Sequence, residues 1–248
     1  MTLISSISGI RGTVNGPNTK NLTPIDVVQY TSAYGTWINK KNQNKNKTIV
    51  LGRDGRISGS VLLELVKSTL ISMGINIIDI GLSTTPTTQI IVQKKKAEGG
   101  IILTASHNPK NWNALKLFNS RGEFLIGEEA EEIFRIVEEG KYEFMKEDDY
   151  GKIHESFNSF QIHIDEVKNL KLVNCEKIIN KKFKVVVDGI NSSGGVIVPE
   201  LLKQLGCSVI EINCEPDGNF AHNPEPLDKN LSQLKKTVKK EKADLGIA

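Results

Sequence analysis

The chain has 248 residues, 38% of them apolar and 25% charged, and its 32 basic side chains against 29 acidic ones leave a formal net charge of +3. That length suits one large domain or two of ordinary size. The mixed charge excludes the clustered positive excess of a nucleic-acid binder, and no apolar run approaches the roughly 18 residues of a membrane span. Cys175, Cys207 and Cys214 are an odd set without metal-ligand spacing, which predicts free thiols in a reducing compartment. No basic segment followed by an apolar core opens the chain, so the expectation is a soluble cytoplasmic protein with neither nucleic acid nor membrane as partner.

In chain order, Thr23-Pro24 predicts a helix start, with Thr as the cap and Pro at the first helical position. Val27, Tyr30, Tyr34 and Ile38 follow at helical spacing. A polar loop is expected over 40–47, then a buried strand from Thr48 to Leu51 ending in Gly52-Arg53-Asp54-Gly55-Arg56. A helix over 60–73 turns Leu62, Val66 and Leu70 inward and stops at Gly74. Next come a strand over 75–80, a helix from Thr85-Pro86, and an apolar strand, Gly100-Ile101-Ile102-Leu103. A charged helix (128–139), an acidic connector (140–151) and a helical stretch (157–173) follow. The pattern then restarts: strand 183–188, a glycine-rich turn (189–195), helix 196–205, strand 208–213 and helix 231–240. Residues 243–248 read as the opening of a further strand. Lys235, Lys236, Lys239, Lys240 and Lys242 make one solvated face, with a phosphate-binding face as the lesser alternative.

The alternation predicts an α/β fold: two consecutive mixed-sheet domains with helices on both faces, over 1–150 and 151–248, the second cut short at its C-terminus. Right-handed crossovers place successive strand ends along one edge, where ligands of open α/β sheets sit. Thr104-Ala105-Ser106-His107-Asn108-Pro109 follows the Ile101 strand and presents a hydroxyl at that edge. Ser106 could be activated, covalently modified, or merely part of a turn. A serine-hydrolase reading fails on two counts. His107, its neighbour in an extended stretch, points to the opposite side, and the Gly-x-Ser-x-Gly elbow is absent. Phosphate fits better: Arg11 lies between glycines in Ser8-Gly9-Ile10-Arg11-Gly12, Arg53 and Arg56 flank Asp54-Gly55, and Lys116 follows the serine by ten residues. Guanidinium groups clamp phosphate oxygens, and a lysine carries charge or a proton. Singly, each of these arginines is better read as surface charge than as a ligand, and the turn 189–195 is a weak phosphate signal.

Together these motifs resemble the α-D-phosphohexomutases, the family of phosphoglucosamine mutases and phosphomannomutase/phosphoglucomutase enzymes. Gly9-Ile10-Arg11-Gly12, Gly52-Arg53-Asp54-Gly55-Arg56 and the hexapeptide at 104–109 match the family's motifs in order. Its Asn-Gly-x-Lys appears as Asn113-Ala114-Leu115-Lys116, with one glycine replaced. Asn223-Pro224-Glu225-Pro226 and 243–248 resemble its second domain. The resemblance implies that Ser106 is carried as a phosphoserine and exchanges a phosphoryl group between O6 and O1 of a hexose or hexosamine phosphate through a sugar bisphosphate. It implies that Lys116 and Arg11 handle proton and charge at the reacting hydroxyl, and that His107 lies beside the transferring group, a neutral turn histidine being its alternative. His154, His163 and His222 are expected to be ordinary residues.

The resemblance also implies Mg²⁺ as cofactor, with the Ser106 phosphate as one ligand and the family's Asp-x-Asp-x-Asp-Arg run expected after residue 248. The chain alone is accordingly expected to turn over little or no substrate. Phosphoglucosamine is the preferred substrate branch, with phosphomannose/phosphoglucose as the alternative. A non-catalytic sugar-phosphate-binding module is the rival class; the joint presence of Arg11, Ser106 and Lys116 argues against it, because binding alone would not require all three.

Overall fold

The computed structural model describes residues 3–6, 9–14, 21–42, 47–156 and 158–248, so Ser8, the 43–46 part of the expected loop and Phe157 lie outside the described residues. Contacts divide the chain into two units: Met1–Asp54, Ser58–Ala105 and Asn111–Ser159 form the first, and Gly55–Ile57, Ser106–Lys110 and Phe160–Ala248 the second.

The first unit runs β1 (Ile4–Ser6), β2 (Gly9–Thr13), α1 (Pro24–Lys41), β3 (Thr48–Arg53), α2 (Ile57–Ser72), β4 (Asn76–Leu82), α3 (Thr85–Lys95), β5 (Gly99–Leu103), β6 (Trp112–Phe118), α4 (Gly127–Glu139) and β7 (Ile153–Glu155). Its strands form one mixed sheet in the order β1-β2-β6-β5-β3-β4-β7. β5, β3, β4 and β7 run parallel, while β1–β2, β2–β6 and β6–β5 pair antiparallel. The parallel strands β3, β4 and β5 are legible in the sequence as apolar runs, whereas β7, also parallel, has none. β2 and β6 carry no strand signal either: Gly9-Ile10-Arg11-Gly12 is a strand because its weak local preference is overridden by pairing with β6 through Ile10–Leu115 and Arg11–Ala114.

Helix α1 begins as Thr23-Pro24 predicts and closes a full capping box: the Thr23 amide donates to Asp26 Oδ2 at 2.7 Å and the Asp26 amide to Thr23 Oγ1 at 3.3 Å. Two neighbouring glycines of β5 show that helices cover both faces of this sheet. A side chain on Gly99 would strike the Tyr34 hydroxyl and Ile38 of α1, whereas one on Gly100 would strike Val92 of α3. Successive strand residues face opposite ways, so α1 and α3 lie on opposite sides. The core joins Val27, Tyr34 and Ile38 of α1, Leu62, Val66 and Leu70 of α2, and Ile133 of α4 to the sheet residues Ile49, Leu51, Ile101, Leu103 and Leu115.

Tyr34 is fully buried, and its hydroxyl reaches Phe118 O at 2.7 Å and Gly100 O at 3.3 Å; burial pushes its phenol pKa well above the ordinary value. Tyr34→Phe leaves these carbonyls without that donor and is expected to destabilise the chain by about 1–3 kcal/mol in urea unfolding. No loss of stability would refute this.

In the second unit the helical stretch expected over 157–173 is one shorter helix, α5 (Ser159–Lys168), and a helix that the pattern does not predict, α6 (Cys175–Lys181), lies beyond it. α6 starts where the Asn174 side chain accepts from the Lys177 amide at 2.9 Å. Then follow β8 (Lys184–Asp188), α7 (Gly194–Gln204), β9 (Ser208–Ile212), α8 (Ser232–Glu241) and β10 (Leu245–Ile247). β10-β8-β9 is a parallel three-stranded sheet with Val185, Val186 and Val187 buried at its centre. α7 packs on β8 and β9, and α8 on β8 and β10. The lysines of α8 and Lys242 are exposed, as a solvated face requires. All three cysteines are half-buried free thiols. Among the described residues no helix is long and apolar enough to cross a membrane.

Candidate active site

In the first unit, β3 and β5 end together, with Arg53 opposite Leu103. Asp54 ties the two ends: its amide donates to Leu103 O at 2.9 Å and its carboxylate accepts from Thr104 Oγ1 at 2.6 Å. The Thr104 amide in turn donates to Ala114 O at 3.1 Å. The residue two positions before Ser106 is therefore fixed from both sides. Arg53, half-buried, donates from Nη1 to Asp54 O at 3.0 Å.

Arg11 and Lys116 come onto one face of this sheet. Arg11 pairs with Ala114, and Ala114 and Lys116 are two residues apart on β6, so all three side chains point the same way. Gly9 makes room for the lysine: a Cβ there would lie 3.3 Å from Lys116 Cγ and 2.7 Å from Leu115 O. Its φ of +126° is a second reason for glycine at this point. Lys116 Nζ sits 5.6 Å from the Phe124 ring centre. Arg11 Nε is buried without a hydrogen-bond partner among the described residues. Where the resemblance has a glycine, Ala114 occupies a regular strand position with negative φ, so it is accommodated without strain.

In the second unit, Ser106–Lys110 forms a loop that groups with Gly55–Ile57. Ser106 is exposed and has φ +54°, the left-handed region that non-glycine residues seldom enter. This corrects the premise that Ser106 and His107 point apart as in an extended stretch. The left-handed turn instead brings Ser106 Oγ to 3.5 Å from His107 Nδ1, still too long for a strong hydrogen bond.

Arg56 also departs from expectation. It is 1% exposed and is no free phosphate clamp: its guanidinium donates to Pro109 O at 2.6 Å, Asn108 O at 2.8 Å and Ser106 O at 2.9 Å. Phe220 lies across its face, 5.0 Å from the guanidinium carbon. Beside it the Gly55 amide donates to Ser192 Oγ at 3.0 Å, so the turn 189–195 is engaged with protein groups. Gly55 has to be glycine here because a Cβ would lie 2.9 Å from Ser192 Cα.

His222, expected to be ordinary, pairs with buried Asp188. Nε2 lies 2.9 Å from Asp188 Oδ2 and Nδ1 2.9 Å from Asn223 O. Both ring nitrogens face acceptors, which suits the doubly protonated ring. Burial alone would lower the His222 pKa, but the bonds to Asn223 and Asp188 together with the Asp188 charge outweigh it, and the net shift is upward. A raised folded-state pKa means the pair's stabilisation is complete below the unfolded value, 6.5, and is lost as pH rises through the folded value. The urea midpoint of the wild type is therefore expected to fall between about pH 6 and 8 relative to that of His222→Gln; parallel profiles would refute it. Sequence spacing carries no signal for this pair, whose members are 34 residues apart.

A parallel strand edge with an exposed, left-handed serine in the next loop and a cationic sheet face defines a class: an α/β sheet protein equipped for an anionic ligand. Residues 4–144 match the model of phosphoglucomutase/phosphomannomutase, alpha/beta/alpha domain I, and residues 161–248 match that of domain II. The chain belongs to the phosphoglucomutase/phosphomannomutase family. It is 34% identical over 241 residues to a "Phosphoglucomutase/phosphomannomutase" of Thermococcus kodakarensis, covering 97% of this chain and 51% of that protein. It is 36% identical over 242 residues to a "Probable phosphoglucosamine mutase" of Methanosarcina barkeri, again covering 97% and 51%. A solved phosphoglucomutase/phosphomannomutase family protein of Burkholderia thailandensis shares the fold, with TM-score 0.77 at 24% identity over 96% of this chain and 50% of that one. The chain spans about half the length of the curated relatives it matches.

Proposed function

We propose that the chain carries the phosphoserine of a phosphohexomutase, which moves a phosphoryl group between O6 and O1 of a hexose or hexosamine phosphate. The observation that carries this reading is Ser106, exposed in a left-handed turn just beyond a parallel strand end. In the forward half-reaction the Ser106 phosphate passes to a free sugar hydroxyl: the P–Oγ bond breaks, a P–O bond to the sugar forms, and the hydroxyl proton passes by way of Lys116 to the departing Oγ. In the second half-reaction Ser106 Oγ–H attacks the other phosphate of the bisphosphate, a new P–Oγ bond forms as the sugar P–O bond breaks, and the Oγ proton passes by way of Lys116 to the leaving sugar oxygen of the rearranged monophosphate. Arg11, whose buried Nε lacks a protein partner among the described residues, offers fixed positive charge to the phosphate oxygens. Such transfer is mostly positioning and charge neutralisation. His107 stands beside Ser106 Oγ and steadies it weakly.

A phosphoserine carries roughly −1.5 to −2 charge and offers hard oxygens of the kind Mg²⁺ takes. Among the described residues no three His, Cys, Asp or Glu side chains are grouped to hold a metal. Among the described residues the fit to Mg²⁺ thus rests on Ser106 alone. Phosphoglucosamine is the preferred substrate, with phosphomannose/phosphoglucose as the alternative; relatives named for both branches match at similar identity.

The test is incubation with glucose 1,6-bisphosphate followed by intact-mass measurement and peptide mapping. One added phosphoryl group at Ser106 is expected. No uptake from any hexose or hexosamine bisphosphate would overturn the reading and favour a non-catalytic sugar-phosphate binder.

A further inference from the structure

The geometry points to Arg56 as the positioning residue of the phosphoryl-carrying loop, acting through the backbone carbonyls of Ser106, Asn108 and Pro109 rather than on phosphate. The inference rests on Ser106 being the carrier. One planar guanidinium reaches three carbonyls within a four-residue stretch, at 2.6–2.9 Å. Two of these bonds come from the same nitrogen, Nη2, to Ser106 O and Asn108 O.

Ser106 holds φ +54° without the freedom of glycine, and such a conformation persists only when its surroundings over-determine it. The bond to Ser106 O acts on the peptide plane that sets ψ of that residue. The bonds to Asn108 O and Pro109 O fix the return of the loop. The direction of Oγ therefore follows from where Arg56 is held. Arg56 itself has little room to move: its side chain is 1% exposed, Phe220 covers its face, and Gly55, the preceding residue, is bonded to Ser192. Lysine would keep the charge but lack the planar fork that spans the three acceptors.

A reacting oxygen misplaced by about 1 Å costs on the order of 100-fold in rate. Arg56→Lys and Arg56→Ala are accordingly expected to slow phosphoryl uptake at Ser106 from glucose 1,6-bisphosphate on the order of 100-fold. The half-saturating bisphosphate concentration should stay near that of the wild type, because Arg56 does not touch the ligand. Low-millimolar guanidinium chloride should restore uptake to Arg56→Ala, while equal sodium chloride should not. A merely structural arginine would predict lower stability with normal uptake in the folded fraction.

Amide exchange at Ser106, His107, Asn108 and Lys110 supplies an arm independent of activity: it should accelerate in both variants and slow again with guanidinium in Arg56→Ala. Wild-type uptake rates in folded Arg56→Lys, or unchanged loop exchange, would overturn the inference. If the wild type takes up no phosphoryl group, the carrier reading fails, and the exchange arm alone then decides whether Arg56 sets the loop.

Discussion

Ser106→Gly is expected to take up no phosphoryl group from a sugar bisphosphate while being more stable than the wild type. Glycine removes the acceptor oxygen outright, so the loss is complete rather than partial. The gain in stability has a separate origin. Ser106 sits at φ +54°, a conformation that costs an L-residue roughly 1–2 kcal/mol. Glycine escapes that cost but adds unfolded-chain entropy worth about 0.4–1 kcal/mol, so a net gain on the order of 1 kcal/mol remains. Ser106→Ala serves as the control: it also abolishes uptake but keeps the Cβ and gains nothing from relief of the left-handed backbone. Intact mass and urea unfolding on the three proteins check both halves. Phosphoryl uptake by Ser106→Gly would remove Ser106 from the proposed mechanism, and equal stability of the glycine and alanine variants would show the backbone to be unstrained.

Lys116→Met is expected to lower the rate of phosphoryl transfer between Ser106 and the sugar by about 10²–10⁴-fold, the usual worth of a positioned proton carrier. Methionine keeps an unbranched stem over Gly9, where Lys116 Cγ packs, and keeps an apolar group beside Phe124, so the strand pairing of β6 is left intact. The variant thus separates the ammonium from the packing of its stem. Rapid-quench measurement of Ser106 phosphorylation reads the effect. A decrease below tenfold would assign the proton to another group and leave Lys116 as a charge near the phosphate.

What was legible beforehand followed the physics of each segment. The buried runs at 48–51 and 100–103 and the capped helix at Thr23-Pro24 were readable, because apolar burial and cap chemistry are written locally. The strands β2 and β6 were not. Gly9-Ile10-Arg11-Gly12 has no strand preference of its own, and it becomes a strand only because β6 offers it a register. Helix α6 (Cys175–Lys181) is not legible for a different reason: its start rests on one side chain, Asn174, which satisfies the first turn of a short helix with no buried residue. In the candidate site, Ser106, His107, Arg11 and Lys116 stood out as residue types in motifs. The anchoring of Thr104 by Asp54, and the pairing of Asp188 with His222, join residues 50 and 34 positions apart, and no periodicity connects them.

The sequence by itself determined the α/β class and the family resemblance and singled out Ser106 as the candidate carrier, since these depend on residue types at short, fixed spacing. Only the tertiary structure decided what the arginines do and how the serine is presented. Arg11 and Arg56 carry the same group, yet one lies on a sheet face with its Nε unpartnered among the described residues, and the other is buried against three carbonyls of the serine loop. A guanidinium binds whatever oxygens surround it, and which oxygens those are is settled by long-range folding rather than by neighbouring residues.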